Sequence, residues 1–202
     1  EFRRVLFRSL TGEERPWLAE SYTYNADFTE IAVKLRPGIE WSDGTPFTAE
    51  DVAFTANTAM QLQIPGNWSS NYDPVFLERV EAIDPLTVRF YYKEEPGLAI
   101  HEYGTLQGSI APKHYWEPVV NEALQALDGA TPPAEGASED ELAAYEEKLE
   151  AARQVLLNFT PDSTQPTLGG FTLGRWEKGA FVENLPNPAY YAQGATITVY
   201  AD

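Results

Sequence analysis

The stretch that decides the fold is residues 34–52, KLRPGIEWSDGTPFTAEDV. It continues a strand-like run, residues 30–35, in which apolar and polar residues alternate after Ile31. Arg36-Pro37-Gly38 predicts a turn, because proline fixes φ and glycine tolerates a positive φ. Residues 39–41 predict a short strand that pairs back, and Asp43-Gly44 predicts a second turn.

A helix is predicted directly after these turns. Thr48 has the character of an N-cap, and Asp51 three residues later completes a capping-box signal. Apolar residues at helical spacing extend the prediction over residues 49–63, and Pro65-Gly66 ends it. The apolar face of this helix consists of Val52, Ala56, Ala59 and Met60.

Other segments predict further strands and connections. Residues 67–73 predict a polar, aromatic loop, residues 97–103 a short helix, and Pro112 the first residue of another helix. Enrichment in β-branched and aromatic residues predicts strands at residues 80–83, 87–92, 171–176, 181–185 and 196–200.

The residues of the deciding stretch resemble the extracytoplasmic solute-binding proteins of bacterial ABC importers, in the oligopeptide- and dipeptide-binding family (family 5). That family carries a stretch much like L-R-x-G-x-x-W/F-x-D-G-x-P-F-x-A-x-D-V, which matches residues 35–52. Four further blocks resemble the family and stand in its order: LAESY at residues 18–22, VEAIDPLTVRF at 80–90, IAPKHY at 110–115, and GRWEKG through NPAYY at 174–191.

The resemblance implies an α/β fold with a mixed, mostly antiparallel sheet and flanking helices. Family members are considerably longer, and all matches fall in their N-terminal half. We therefore expect part of the first lobe of a two-lobed periplasmic-binding-protein-like fold of type II. Residues 10–116 and 159–202 are assigned to this lobe.

Residues 117–158 differ in character, with ten acidic residues against only Lys148 and Arg153 as bases. Apolar residues spaced by three and four predict two antiparallel helices, and Ser138 with Glu141 offers a capping box at the second. We interpret the segment as an acidic helical hairpin inserted into the lobe, either as a packed decoration or as a docking surface for importer membrane subunits. The predicted seams are Trp116, Val120, Ala123 and Leu127, then Leu142, Tyr145, Leu149, Ala152 and Leu156.

Composition excludes several classes of function. Acidic residues outnumber basic ones 31 to 14, for a net charge of −17, which argues against binding nucleic acid or an anionic membrane surface. The chain has no cysteine, so disulfides, Cys-ligated zinc and thiol nucleophiles are excluded. No apolar run approaches the about 18–20 residues that cross a bilayer.

Residues 1–9, EFRRVLFRS, contain basic residues but lack the apolar centre of a signal peptide. LFRS at residues 6–9 looks like a translated sequencing adapter, so we interpret residues 1–9 as a non-native scar. We expect the true N-terminus, with any export signal or lipoprotein anchor, to lie outside this sequence. Such an anchor would be the only contact with the membrane.

The sequence offers no catalytic constellation. His101 and His114 are the only histidines and lack metal-ligand spacing, so structural or surface roles are expected for both. Ser109 lacks the G-x-S-x-G context of a hydrolase nucleophile. Asp43 before Gly44 predicts a turn in which the carboxylate binds nearby backbone amides. We expect no catalytic residue, no metal and no cofactor.

Aromatic residues in loops are the candidates for ligand contact, because rings give a peptide-like ligand broad, sequence-tolerant contact area. The resemblance implies such a contact after the first helix, where Trp68 and Tyr72 lie. Tyr103 precedes a Gly-Thr pair, and Gly170 and Phe171 stand at the predicted lobe edge. There the family usually reads G-x-G-P-Y and this chain reads LGGF, which leaves contacts of the missing tyrosine hydroxyl in doubt.

The implied function is capture of an oligopeptide or other small solute outside the cytoplasm, in the periplasm or at the outer face of the cell membrane. The ligand would bridge two lobes, favour their closure and be delivered to the importer membrane subunits. The alternative is a sensory or adaptor protein that uses the same lobe to bind a solute or a protein partner. A hydrolase would need a nucleophile–base pair, and the sequence shows none.

Overall fold

The architecture is seen in a computed structural model, which describes residues 7–9, 14–97, 99–134, 136–177 and 179–191. The predicted strand at residues 196–200 lies outside the described residues. The strands are β1 (Phe7–Ser9), β2 (Glu14–Pro16), β3 (Ala19–Tyr24), β4 (Glu30–Leu35), β5 (Leu77–Asp84), β6 (Thr87–Tyr92), β7 (Phe171–Glu177) and β8 (Phe181–Pro186). The helices are α1 (Ala49–Gln61), α2 (Asn67–Asn71), a π-helix (Ile100–Gly104), a 3₁₀ turn (Thr105–Gln107), α3 (Lys113–Leu127) and α4 (Glu139–Asn158).

The main sheet has four antiparallel strands in the order β3-β4-β6-β5. Strand β4 occupies the predicted residues, and β5 begins three residues before its predicted start. One face of the sheet is apolar because alternate side chains point to the same side. The mixed α/β class predicted from the sequence is confirmed by this sheet and its helices. The inward residues Ile31, Val33, Val80, Val88 and Phe90 are buried in the main core.

Helix α1 covers this sheet and begins as its capping box predicts. The Asp51 carboxylate accepts a hydrogen bond from the Thr48 N–H at 3.0 Å, and the first helical residue is Ala49. The helix ends at Gln61, two residues before the predicted end, where the Gln63 N–H turns back to the Met60 carbonyl at 3.2 Å. All four predicted apolar-face residues are buried.

Three local predictions need correction. Residues 67–73 are not simply a loop, since α2 occupies Asn67–Asn71. The predicted short strand at residues 39–41 is reduced to a single bridge between Glu40 and Pro46, which is flanked by the Trp41 N–H donating to the Thr45 carbonyl and the Phe47 N–H donating to the Ile39 carbonyl. Pro112 is the N-cap of α3 rather than its first residue.

Helices α3 and α4 form the helical hairpin, with a core separate from that of the sheet. Trp116 near the start of α3 packs on Phe159 beyond the end of α4, with ring centroids 5.2 Å apart. Lys148 reaches Asp128 at the other end at 3.1 Å, so the two helices run antiparallel. The hairpin core contains Leu62, Ala123, Leu127, Tyr145, Leu149 and Ala152.

Six of the nine predicted seam residues belong to this core or pack against it. Val120 is buried outside this core, Trp116 packs on Phe159, and Leu142 is 51% exposed. Arg153 of α4 ties the hairpin to the end of α1 by donating from Nε to the Leu62 carbonyl at 3.0 Å. The status of residues 117–158 as an insertion between residues 10–116 and 159–202 remains a prediction. The interpretation of residues 1–9 as a non-native scar also remains a prediction. Within that segment, β1 pairs with β2. None of the helices in the described part of the chain combines the length and apolar character needed to span a bilayer.

His101 of the π-helix is fully buried. Its ring meets those of Tyr92 and Tyr24 nearly edge-on, with centroids 4.6 and 5.1 Å away. Burial lowers the pKa of His101 below its ordinary value, while the Phe28 backbone and the Glu95 carboxylate oppose the shift more weakly. The structural role expected for His101 agrees with this placement.

Acidification should therefore destabilise the chain through His101. Because its folded pKa is depressed, the unfolded state binds the proton more readily. The stabilisation that comes from keeping His101 neutral is complete above about pH 6.5. As the pH falls toward the folded pKa, the free energy of unfolding decreases by at most about 1.4 kcal/mol per pH unit. Urea unfolding from about pH 7.5 to about pH 5.5 measures this slope. The difference between wild type and His101→Phe isolates His101 from other titrating groups, and an identical slope in the two proteins would contradict the prediction.

Candidate functional site

The five predicted ligand-contact residues lie in two places. Trp68 belongs to α2, and Tyr72 is the C-cap of that helix. Tyr103 lies in the π-helix, and the structure describes only its backbone. These two short elements are joined by Asn71, whose side-chain amide donates to the Gly104 carbonyl at 2.8 Å. The structure thus brings the first three predicted residues to one region.

Tyr72 is a core residue in this region. Its side chain is fully buried, and its hydroxyl donates to the Ser109 carbonyl at 3.2 Å. The ring passes so close to Gly108 that a Cβ there would overlap the Tyr72 hydroxyl. Burial strongly raises the pKa of the Tyr72 phenol, so the hydroxyl stays a neutral donor. As placed, Tyr72 offers no surface to a ligand and instead positions the segment after the 3₁₀ turn.

A small cleft of about 50 Å³, lined by both polar and apolar side chains, lies between α2, β5 and the π-helix. The Tyr92 hydroxyl at its wall donates to Thr105 Oγ1 at 2.8 Å. This volume suits a polar group or a few waters rather than a whole peptide. The cleft is lined by Ser70, Asn71, Asp73, Phe76, Leu77, Tyr92, Ile100 and Thr105.

Gly170 and Phe171 lie at the start of β7, where the chain is held by backbone hydrogen bonds. The Gly170 carbonyl accepts from the Asn187 N–H at 2.9 Å, and the Asn187 side-chain amide donates to the Gly169 carbonyl at 2.8 Å. A reciprocal pair joins this segment to the deciding stretch: the Thr167 N–H donates to Ser42 Oγ and the Ser42 N–H to the Thr167 carbonyl. The glycine-rich segment is therefore held between two of the sequence blocks.

An aromatic group next to Gly170 was missed by the sequence interpretation. Tyr191 packs on Trp17 with ring centroids 5.8 Å apart and on Tyr190 at 5.2 Å. The Arg36 guanidinium lies 5.8 Å from the Tyr191 centroid, and its Nε donates to the Trp17 carbonyl at 3.1 Å. A Cβ at Gly170 would lie 3.7 Å from the Tyr190 ring. The only sequence signals were the tyrosines of NPAYY and the tryptophan just before LAESY.

We call Trp17, Tyr190, Tyr191, Gly170 and Phe171 the aromatic edge. Each of its residues is half-buried, so the rings keep accessible surface while their other sides are packed. Such surfaces provide contact area with little loss of side-chain freedom, which suits recognition of a flexible solute.

Charged groups near the deciding stretch are engaged in stabilising contacts. Asp43 accepts from the Thr45 N–H at 3.0 Å, as the turn predicts, and lies 2.8 Å from Nε2 of His114. Burial alone would raise the pKa of Asp43, but hydrogen bonds from Thr45 and His114 leave it below its ordinary value. In the described ranges, His, Asp and Glu side chains form no group of three that could hold a metal ion.

Comparison with known proteins finds similarity between this chain and solute-binding proteins. Residues 13–199 match the model of bacterial extracellular solute-binding proteins, family 5 Middle. The glutathione-binding protein GsiB of Escherichia coli (strain K12) is 40% identical over 78 residues, which are 38% of this chain and 15% of GsiB.

The fold is also that of solved binding proteins. The oligopeptide-binding protein AppA from Bacillus subtilis, in complex with a nonapeptide, superposes with a TM-score of 0.65 at 20% identity, over 94% of this chain and 31% of AppA. NikZ from Campylobacter jejuni, in complex with Ni(L-His), superposes with a TM-score of 0.62 at 23% identity, over 95% of this chain and 31% of NikZ. The chain thus spans about a third of these structures, and its matches cover under a fifth of the curated relatives.

Proposed function

The chain belongs to the bacterial extracellular solute-binding proteins of family 5, and from this premise we propose that its parent captures oligopeptides or similar solutes outside the cytoplasm for an ABC importer. The observation that carries the proposal is the family match across residues 13–199, on a fold shared with a nonapeptide-bound protein. The parent would be a binding protein rather than an enzyme.

The proposed mechanism is closure of two lobes on the solute. This chain supplies one face, and the ligand favours the closed state because only there does it contact both lobes. The aromatic edge is the proposed contact surface, because its rings are half-buried and the Tyr190 ring lies beside Gly170. Trp68 and Tyr103 remain predicted contacts from the α2 region. Delivery of the closed form to importer membrane subunits completes the proposed cycle.

Calorimetric titration of the parent with defined peptides of three to about nine residues tests this function. We expect micromolar or tighter binding for part of the peptide set, together with a smaller radius of gyration by small-angle scattering when the lobes close. Replacing Tyr191 by alanine should weaken binding by roughly tenfold through lost ring contact. Glu78→Ala, an exposed residue on β5, is the matched control. Failure of every peptide to bind a folded parent would overturn the peptide assignment.

A further inference from the structure

Of the arginine side chains that the structure describes, only Arg36 lacks a carboxylate partner. The other four form ion pairs: Arg79 with Glu78 and Glu81, Arg89 with Glu30, Arg153 with Glu146 and Glu150, and Arg175 with Glu183. Arg36 is half-buried and makes no such pair within the described residues, although acidic residues outnumber basic ones 31 to 14 in the chain. The missing partner is therefore the feature to explain.

The side chain of Arg36 is held at the aromatic edge by two contacts. Its Nε donates to the Trp17 carbonyl at 3.1 Å, and its guanidinium lies 5.8 Å from the centroid of the Tyr191 ring, within range of a cation–π interaction. The Arg36 backbone N–H donates to the Leu18 carbonyl at 2.9 Å, which fixes the point from which the side chain extends. Within the described part of the chain, neither Nη atom of Arg36 makes a hydrogen bond.

A guanidinium held in this way suits one class of ligand group. When Nε is occupied, the two Nη atoms still form a planar fork that can donate two parallel hydrogen bonds to the two oxygens of a carboxylate. A half-buried charge without a partner is costly, and a carboxylate would remove that cost. The pair would be strengthened where closing lobes exclude water, because the local dielectric constant falls.

We propose that Arg36 binds a carboxylate of the solute, so that the aromatic edge selects peptides and similar solutes that present this group. The inference rests on the proposed function and adds to it the chemical class of one ligand group. In a peptide the carboxylate comes from the C-terminus or from an Asp or Glu side chain. The net charge of −17 repels anions in general, so a specific partner is needed to hold the carboxylate.

Two matched pairs of peptides, titrated into the parent by calorimetry, test the proposal and separate the two sources of carboxylate. The first pair contains no Asp or Glu and differs only in a free or an amidated C-terminus. The second pair has an amidated C-terminus and differs only in one Glu or Gln. In at least one pair the carboxylate form should bind about fivefold to thirtyfold more tightly, as expected of a charge-assisted pair that is partly exposed.

Substitutions in the parent assign this preference to Arg36. Arg36→Gln removes the charge but keeps a side-chain N–H donor, so the preference for the carboxylate form should fall to about one. Arg36→Lys keeps the charge without the fork, so the preference should be intermediate. Arg79→Gln is the matched control, because that guanidinium is already paired with Glu78 and Glu81, and it should leave the preference unchanged.

The ratio of the two affinities is the readout, because a general loss of packing would weaken both forms of a peptide alike. Equal binding of both forms in each pair would overturn the role of Arg36 while leaving peptide capture intact. A preference that survives Arg36→Gln would have the same consequence. If no peptide of either pair binds the folded parent, the peptide assignment fails and this inference fails with it.

Discussion

Replacing Asp51 by alanine should lower the free energy of unfolding by about 4 kcal/mol. Its buried carboxylate accepts from the Thr48 N–H at 3.0 Å, the Lys113 N–H at 2.9 Å and the Trp41 indole N–H at 3.3 Å. Burial raises the pKa of Asp51, against the opposing effect of these donors. Alanine would leave three donors without their acceptor, each at a cost of about 1–3 kcal/mol before relaxation. Urea unfolding at constant pH measures the change.

Glu50→Ala is the matched control for this substitution. Glu50 is the neighbouring residue of α1 and also reaches Lys113, with Oε2 3.0 Å from Nζ, but the pair is solvent-exposed. Such an ion pair contributes less than about 1 kcal/mol. If Asp51→Ala lowers the free energy of unfolding no more than Glu50→Ala does, the three hydrogen bonds to Asp51 do not stabilise the fold.

Asp51 also explains why two separate sequence blocks belong to one structural unit. The deciding stretch contains its carboxylate, and IAPKHY supplies the Lys113 N–H from 62 residues away. The same two blocks meet again at the Asp43–His114 pair. The start of α1 and the start of α3 are therefore fixed to each other by one acidic side chain.

Short sequence patterns correctly predicted the elements whose position is set by neighbouring residues in the chain. The strand at residues 30–35 and the start of α1 follow from alternation and from a capping box, and both lie where expected. The α2 helix was missed because its NWSSN sequence has polar residues of weak helix propensity. Leu142 was placed in the hairpin core by spacing, but it lies one turn too near the helix start and remains exposed.

The candidate site was harder to predict, because it is assembled from distant segments. Trp17 and Tyr191 are far apart in sequence, and only the tertiary fold brings their rings into contact. The position of Tyr72 follows from its close approach to Gly108, which no local pattern indicates. Sequence could therefore identify Gly170 and Phe171 as edge residues but not the aromatic rings beside them.

The 202-residue chain alone should bind peptides about a thousandfold more weakly than its parent. If the parent binds at about micromolar, its binding free energy is about −8 kcal/mol. A chain that keeps half of the contacts retains about −4 kcal/mol, which corresponds to about millimolar affinity before any non-additivity. Calorimetry of both proteins with the same peptide should thus give a measurable isotherm only for the parent.

The comparison needs evidence that the chain is folded when it fails to bind. Cooperative urea unfolding of the chain, at a lower urea concentration in Asp51→Ala, provides that evidence, because both depend on the packed core of this lobe. A weak isotherm from a folded chain then reflects missing contacts rather than missing structure. Micromolar binding by the chain would mean instead that the whole site lies within it, and closure of a second lobe would no longer be needed to explain capture.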